Sequence, residues 1–217
     1  EIWHDAITWL MGDEYDSVMN YPLVESIHDF FNDKERTAKQ FSHSVNRCYS
    51  LYMKQTNRVL FNLLDSHDTE RLFTRVGSLG RFYGQLALLF TMEGSPCIYY
   101  GTEIAMEGGF DPDCRRCMPW DAIENGTYDD RIDAVRTLIA LRKTYKACGS
   151  AKTEWEYTPG NDRVIGYRKL LKGAPPVAVR INASAEKIRL PEQKEILFSY
   201  GVEDGWLLPD GVCIFSV

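Results

Sequence analysis

Long apolar runs are missing from this sequence. The longest candidate, Leu86 to Tyr100, is interrupted by Glu93, Gly94 and Pro96, so no stretch is long enough to cross a bilayer as a helix. Runs of Lys and Arg are missing too. The 25 basic residues are outweighed by 31 acidic ones, for a net charge of −6. A basic face supplies most of the affinity for nucleic acid, so this balance argues against such a partner. Cysteine is sparse: six residues, at positions 48, 97, 114, 117, 148 and 213, form no dense framework. A chain of 217 residues can build its core without staples, and the expectation is reduced thiols in a cytoplasmic setting. No signal peptide is visible, and no Met opens the chain. Glu1 lies inside an apolar segment, from which the true N-terminus is expected elsewhere.

What remains is ordinary globular composition, 44% hydrophobic and 26% charged, with room for one large domain or one and a half smaller ones. The first 146 residues alternate apolar strand candidates with helical patterns. Tyr15 to Tyr21, Arg58 to Leu64 and Pro96 to Tyr100 read as strands. Between and after them, three sets repeat at helical spacing: Phe41, Val45, Cys48 and Tyr52; Phe82, Leu86, Leu89 and Phe90; Ile132, Val135, Leu138 and Ile139. Strands separated by helices predict parallel pairing through crossovers, and near-continuous apolar strands fit a sheet buried on both faces. From about residue 150 turn signals crowd in, at Pro159–Asp162, Lys172–Pro176, Asn182–Ser184 and Pro209–Gly211. Short runs between them (Val164–Leu171, Val177–Ile181, Lys187–Leu190, Ile196–Tyr200, Val212–Val217) predict an antiparallel β domain. The boundary is expected between Lys146 and Thr153, dividing the chain into residues 1–148 and 149–217.

Polar residues cluster just after the apolar strands, at the rim where parallel α/β barrels build active sites. Glu1-Ile2-Trp3-His4 is the first such segment, and a lone Glu there is by itself uninformative. In the second, Leu63 to Arg71, an apolar strand runs into His67-Asp68; spacing alone weighs a helix cap at Asp68 or Thr69 equally with a chemical role. The third, Gly101 to Trp120, is too long and too rich in charge and glycine for a mere connector. Its Cys114-Arg115-Arg116-Cys117 lacks the two further ligands a zinc site needs and the setting of a redox motif, which leaves a pair of loop thiols.

Taken in order, EIWHDAITWLMGDEYDSVMNYPL, FNLLDSHDTER and GSPCIYYGTEIAMEGGFDPDCRRCMPW closely resemble the α-amylase superfamily, nearest its neopullulanase, cyclomaltodextrinase and maltogenic amylase branch. The resemblance covers residues 1 to about 146 in register and extends more loosely over the β domain. It implies the C-terminal half of a (β/α)8 TIM barrel, strands five to eight, followed by an antiparallel β-sandwich. It also implies roles. Glu1 resembles the general acid/base, and Asp68 the third carboxylate that holds sugar hydroxyls. His67 resembles a contact beside the scissile sugar; Asp111 and Arg115 resemble contacts to more distant glucose units. Trp3, Tyr21 and Trp120 are candidates for stacking on sugars, although any one of them is better explained by ordinary core or rim packing. No cofactor is implied, a calcium site would depend on loops outside this sequence, and the parent enzyme of this branch is often a dimer. The implied partner is an α-glucan oligosaccharide.

Retaining hydrolysis needs a protonated carboxyl for the leaving oxygen and a carboxylate nucleophile about 5–5.5 Å away. In the family that nucleophile precedes the acid/base strand, and no carboxylate of this sequence, Asp5, Asp13 and Asp16 included, sits in a matching motif. The isolated chain is therefore expected to lack hydrolase activity, and an incomplete barrel is expected to leave a strand edge unpaired and an apolar face exposed. A glucan-binding module without chemistry, which would require the parent to lack the nucleophile too, and a non-enzymatic relative of the superfamily are the competing readings; the intact carboxylates weigh against the second.

Overall fold

The computed structural model describes residues 5–217. Among the described residues seven α-helices precede a set of antiparallel strands. Helix α1 spans Tyr21–Asn32, α2 Ala38–Cys48 and α3 Lys54–Asn57. Strand β1 is Phe61–Asn62, followed by α4 (Leu72–Val76), α5 (Leu79–Thr91) and strand β2 (Ser95–Pro96). Helices α6 (Trp120–Glu124) and α7 (Asp129–Thr144) complete this part.

Helix ends follow local chemistry. Thr37 caps α2 through a reciprocal pair: its hydroxyl accepts from the Gln40 N–H at 3.2 Å, and the Gln40 side chain accepts from the Thr37 N–H at 2.9 Å. Ser78 accepts from the Arg81 N–H at the start of α5. Gly77 ends α4 with φ at +66°, a conformation glycine adopts without the strain a Cβ would bring. Most of the predicted stripe residues are buried, Phe41, Val45 and Cys48 on α2, Phe82, Leu86, Leu89 and Phe90 on α5, Val135 and Leu138 on α7, whereas buried Tyr52 lies beyond the end of α2 and Ile132 and Ile139 are half-buried.

Parallel pairing is observed. Phe61 pairs with Ser95 and Asn62 with Pro96, and Met19 makes an isolated parallel bridge to Phe61. The strands are shorter than predicted. Tyr15–Tyr21 contributes only the Met19 bridge, and Tyr21 opens α1 instead of closing a strand. Pro22 explains this: its missing N–H and fixed φ suit the first helical turn. Of Arg58–Leu64 only Phe61–Asn62 is strand, because α3 and the turn after it take the chain up to Val59. Of Pro96–Tyr100 only Pro96 is strand, and the chain turns where Thr102 N–H donates to the Tyr99 carbonyl. Burial on both faces is also corrected. Leu60, Leu63 and Leu64 are buried, whereas Val59 and Phe61 are 41% and 42% exposed.

Buried Asn62 ties the parallel segments together. It accepts from the Asn20 amide at 2.8 Å and donates to the Glu93 carbonyl at 2.7 Å. Gly94 lets the chain pass close by, since a Cβ there would lie 2.7 Å from the Asn62 amide and the Leu60 carbonyl. Arg142 of α7 donates to the carbonyls of Phe90, Met92 and Gly94, fixing α7 against the α5–β2 connection.

Six further strands form one antiparallel sheet: β3 (Lys152–Thr158), β4 (Asn161–Leu170), β5 (Val177–Asn182), β6 (Ile188–Arg189), β7 (Glu195–Glu203) and β8 (Trp206–Ser216). The order is β3-β4-β5-β8-β6, with β7 also paired to β8. All six hydrogen-bond into a single sheet that serves two cores. Ile165, Tyr167, Val179, Ile181, Val212 and Ile214 join the helical core; Val164, Ala178, Ile188, Leu207, Cys213 and Phe215 form a second cluster on the other face. The turn expected at Pro209–Gly211 lies inside β8, which continues through Asp210 at φ +57°.

Candidate active site

Residues 65–71 leave β1 as a tight turn. Asp68 N–H donates to Ser66 Oγ at 3.2 Å, and Ser66 N–H donates to Thr69 Oγ1 at 2.9 Å. Helix α4 starts only at Leu72, with Arg71 at the capping position and no side-chain cap from Asp68 or Thr69. The donor at the start of that helix, Leu72 N–H, goes to buried Asp65 Oδ2 at 2.8 Å. Asp65 also accepts from Thr102 Oγ1, at 2.7 and 2.9 Å. Burial holds the Asp65 carboxyl above the ordinary aspartate range, against the opposing effect of these bonds and of Arg71 and Arg75.

Since Asp65 serves the helix, Asp68 is free to face outward. His67 Nε2 lies 3.1 Å from Asp68 Oδ2, and Arg115 Nη2 lies 3.3 Å from Asp68 Oδ1. Arg115 Nε sits 2.8 Å from Asp111 Oδ1 and donates to the His67 carbonyl at 3.0 Å. Cys114 Sγ donates to the same carbonyl at 3.1 Å. Thus two segments 40 or more residues apart in sequence meet, and Arg115 bridges Asp68 to Asp111. The side chains of His67, Asp68, Arg115 and Asp111 are each about half exposed, between 45% and 56%. An open cluster with a carboxylate oriented from two sides can accept hydroxyl donors from a polyol and still reach solvent.

The loop from Gly101 to Trp120 is held in detail. Arg116 makes a two-point pair with Asp113 (2.7 and 2.9 Å), and Asp113 also accepts from the Gly109 N–H. Tyr100 Oη donates to the Arg116 carbonyl at 2.9 Å. All six cysteines are free; Cys114 is fully buried and Cys117 exposed. Among the described residues no cluster of His, Cys, Asp and Glu has the makings of a metal site.

Of the sequence-derived candidates, His67, Asp68, Asp111 and Arg115 come together. Glu1 and Trp3 lie outside the described residues. Tyr21 is half-buried at the head of α1, and Trp120 is 63% exposed at the head of α6. Sequence reasoning missed Asp65 and Arg71, which are buried beneath the cluster. Arg71 is flanked by the rings of Tyr99 and Tyr100, with its guanidinium carbon 4.1 and 4.6 Å from their centroids. Nothing in one sequence marks a charged residue as buried; the only signal was their place in the Asp65–Arg71 segment.

The described residues thus join a short parallel α/β segment, with Asp68 and Asp111 gathered on the chain that follows its strands, to an antiparallel sheet. The sequence matches the family described as "Alpha amylase, catalytic domain" over residues 1–161, and the chain belongs to that family. It is 42% identical over 197 residues to the cyclomaltodextrinase of Geobacillus thermopakistaniensis (strain MAS1), covering 88% of this chain and 32% of that protein. It is 52% identical over 144 residues to neopullulanase 2 of Thermoactinomyces vulgaris, covering 65% of this chain and 24% of that one. Among solved structures, the debranching enzyme from Nostoc punctiforme superposes with a TM-score of 0.83 at 25% identity, over 100% of this chain and 51% of that one. The chain spans about a third of the length of the first curated relatives it matches. Among the described residues no helix is long and apolar enough to cross a membrane.

Proposed function

We propose that this chain is the portion of a retaining α-glucan hydrolase that carries barrel strands five to eight (residues 1–148) and the following β domain (149–217). The reaction is hydrolysis of α-1,4-glucosidic bonds, with α-1,6 bonds as the second candidate, in maltooligosaccharides, cyclodextrins or pullulan. The names of the relatives, cyclomaltodextrinase and neopullulanase 2, support this substrate class. One observation carries the reading: His67, Asp68, Asp111 and Arg115 converge, exposed, where the β1 end meets the loop after β2.

In this reading Glu1 is the general acid/base. Asp68 holds sugar hydroxyls more tightly as positive charge develops on the ring, which lowers the barrier. His67 contacts the sugar at the scissile bond, Asp111 and Arg115 bind glucose units farther along, and Trp3 and Tyr21 offer stacking faces. The chain works within a longer enzyme that supplies the nucleophile, consistent with the much greater length of its relatives. An intracellular setting agrees with six free cysteines and with a similar protein named intracellular maltogenic amylase.

The test is steady-state hydrolysis of a maltooligosaccharide, a cyclodextrin and pullulan by the full-length enzyme that contains this sequence. Asp68→Asn is expected to lower kcat by about 10²–10³-fold, with a smaller change in KM. The 217-residue chain alone is expected to show no turnover. A full-length enzyme that binds these glucans without cleaving any of them would replace the reading with a binding module.

A further inference from the structure

We propose that Arg71 is the positioning residue of this site: it pins the loop after β2 so that Arg115 stays seated on Asp68. This inference rests on the function proposed above for what Asp68 and Arg115 do. The pin itself rests on geometry alone.

Arg71 is fully buried, an unusual place for a guanidinium. Its Nε donates to the Cys114 carbonyl at 2.7 Å, and its Nη1 donates to the Tyr100 carbonyl. Nη2 is buried with no hydrogen-bond partner, while the rings of Tyr99 and Tyr100 flank the group. Its backbone N–H donates to the Gly108 carbonyl at 2.9 Å, and Gly108 N–H in turn donates to Thr74 Oγ1 at 2.8 Å. One residue therefore holds the loop at positions 100, 108 and 114. Desolvating a guanidinium is costly, and an apolar side chain would fill the space more cheaply. What the guanidinium adds is direction, because its planar fork fixes two carbonyls at once in a way Lys cannot copy.

The fixed carbonyl matters through its neighbours. Cys114 Sγ and Arg115 Nε both donate to the His67 carbonyl, and Arg115 Nη2 reaches Asp68. The link runs Arg71 to Cys114, Cys114 to Arg115, and Arg115 to Asp68. Gly108 shows how close the loop lies to its anchor: a Cβ there would be 2.7 Å from the Asp113 carbonyl and 3.1 Å from Arg71 Cγ. Arg71 touches no reacting group in this scheme, so it acts through Arg115.

A double-mutant cycle in the full-length enzyme separates positioning from general stability. Arg71→Met is expected to lower kcat/KM on a maltooligosaccharide by about tenfold or more, and Arg71→Lys to behave like it. In an Arg115→Ala background the same Arg71→Met change is expected to cost less than about twofold, since the group it positions is gone. Equal losses in both backgrounds would overturn the proposal. Thiol labelling of the native full-length enzyme, read at each of the cysteines below by peptide mass spectrometry, gives an independent readout. Cys114 is buried, as are Cys48, Cys148 and Cys213, so all four resist labelling in the parent enzyme. In Arg71→Met, Cys114 alone is expected to become reactive while the other three stay protected. Continued protection of Cys114 would overturn the pin. If Arg71→Met does not fold, Gly108→Ala, which crowds the same contact, carries both arms. A wild-type enzyme inactive on every α-glucan would overturn the function while leaving the labelling arm to decide the pin.

Discussion

Asp65 and Asp68 stand three residues apart and live in opposite environments. Asp68 is exposed and shared between His67 and Arg115, while Asp65 is buried and spends its lone pairs on Leu72 N–H and the Thr102 hydroxyl. Their substitutions should therefore separate activity from stability. Exposed ion pairs contribute about 0–1 kcal/mol, so Arg115→Ala is expected to move Tm by no more than about 2–4 °C. Asp65→Ala leaves two buried donors unpaired at about 1–3 kcal/mol each, and Tm should fall by more than about 4 °C. Calorimetry on both variants checks this, and a large loss in Arg115→Ala would recast the rim cluster as structural. The same contrast explains which residues were legible beforehand. His67-Asp68 could be found because a strand of apolar residues stops at them. Asp65 and Arg71 could not, because their burial depends on Thr102, Cys114 and Tyr100, residues 29 or more positions away.

At the scale of elements, the helices were legible because buried faces repeat along them, as on α2 and α5. Strands β1 and β2 were over-read: apolar character shows burial, but the ladder covers two residues in each. Strand β3 was missed because Lys152, Glu154 and Glu156 gave it a polar surface, although its pairing with β4 is regular from Lys152 to Glu156. The join between sheet and helices carries a buried titratable lysine that was invisible in the sequence. Lys169 on β4 is buried and donates to Thr153 Oγ1 at 2.8 Å. Burial lowers its pKa to about 8, with Arg142 adding to the effect and Glu93 and Cys148 opposing it. Burial likewise raises Glu93 and pushes Cys148 up to about 11. Below about pH 8 Lys169 is protonated folded and unfolded, and the full cost of burying its charge is present. Between that value and the ordinary lysine value the unfolded chain binds more protons than the folded one, so Lys169 adds stability as pH rises. Urea midpoints at pH 7.5 and pH 9.5 are expected to show this contribution in the parent and not in Lys169→Met. Identical pH trends in the two proteins would contradict it.

For the whole molecule, the distribution of apolar surface decides behaviour in solution. The described surface includes Ile7 (48% exposed), Trp9 (50%), Met11 (65%) and Tyr15 (60%), and beside the Met19 bridge it includes Val59 and Phe61. Two grooves lie over this side: one lined by Ala6, Trp9, Tyr15, Val18 and Met19, the other by Val18, Met19, Val59 and Phe61. Exposed apolar side chains gathered on one side in this way drive association of a chain studied alone. The 217-residue protein is expected to self-associate as its concentration rises, which multi-angle light scattering after size exclusion would record as a mass above 24.9 kDa. Val59→Lys with Phe61→Lys should return it towards the monomer, because two charges on the exposed side cannot be buried against a second copy without several kcal/mol of desolvation. The core should tolerate both changes, since neither side chain belongs to a buried cluster. A clean monomer for the parent chain up to high concentration would show that this face is too weakly apolar to associate. An unchanged oligomer in the double-lysine variant would move the contact elsewhere on the surface.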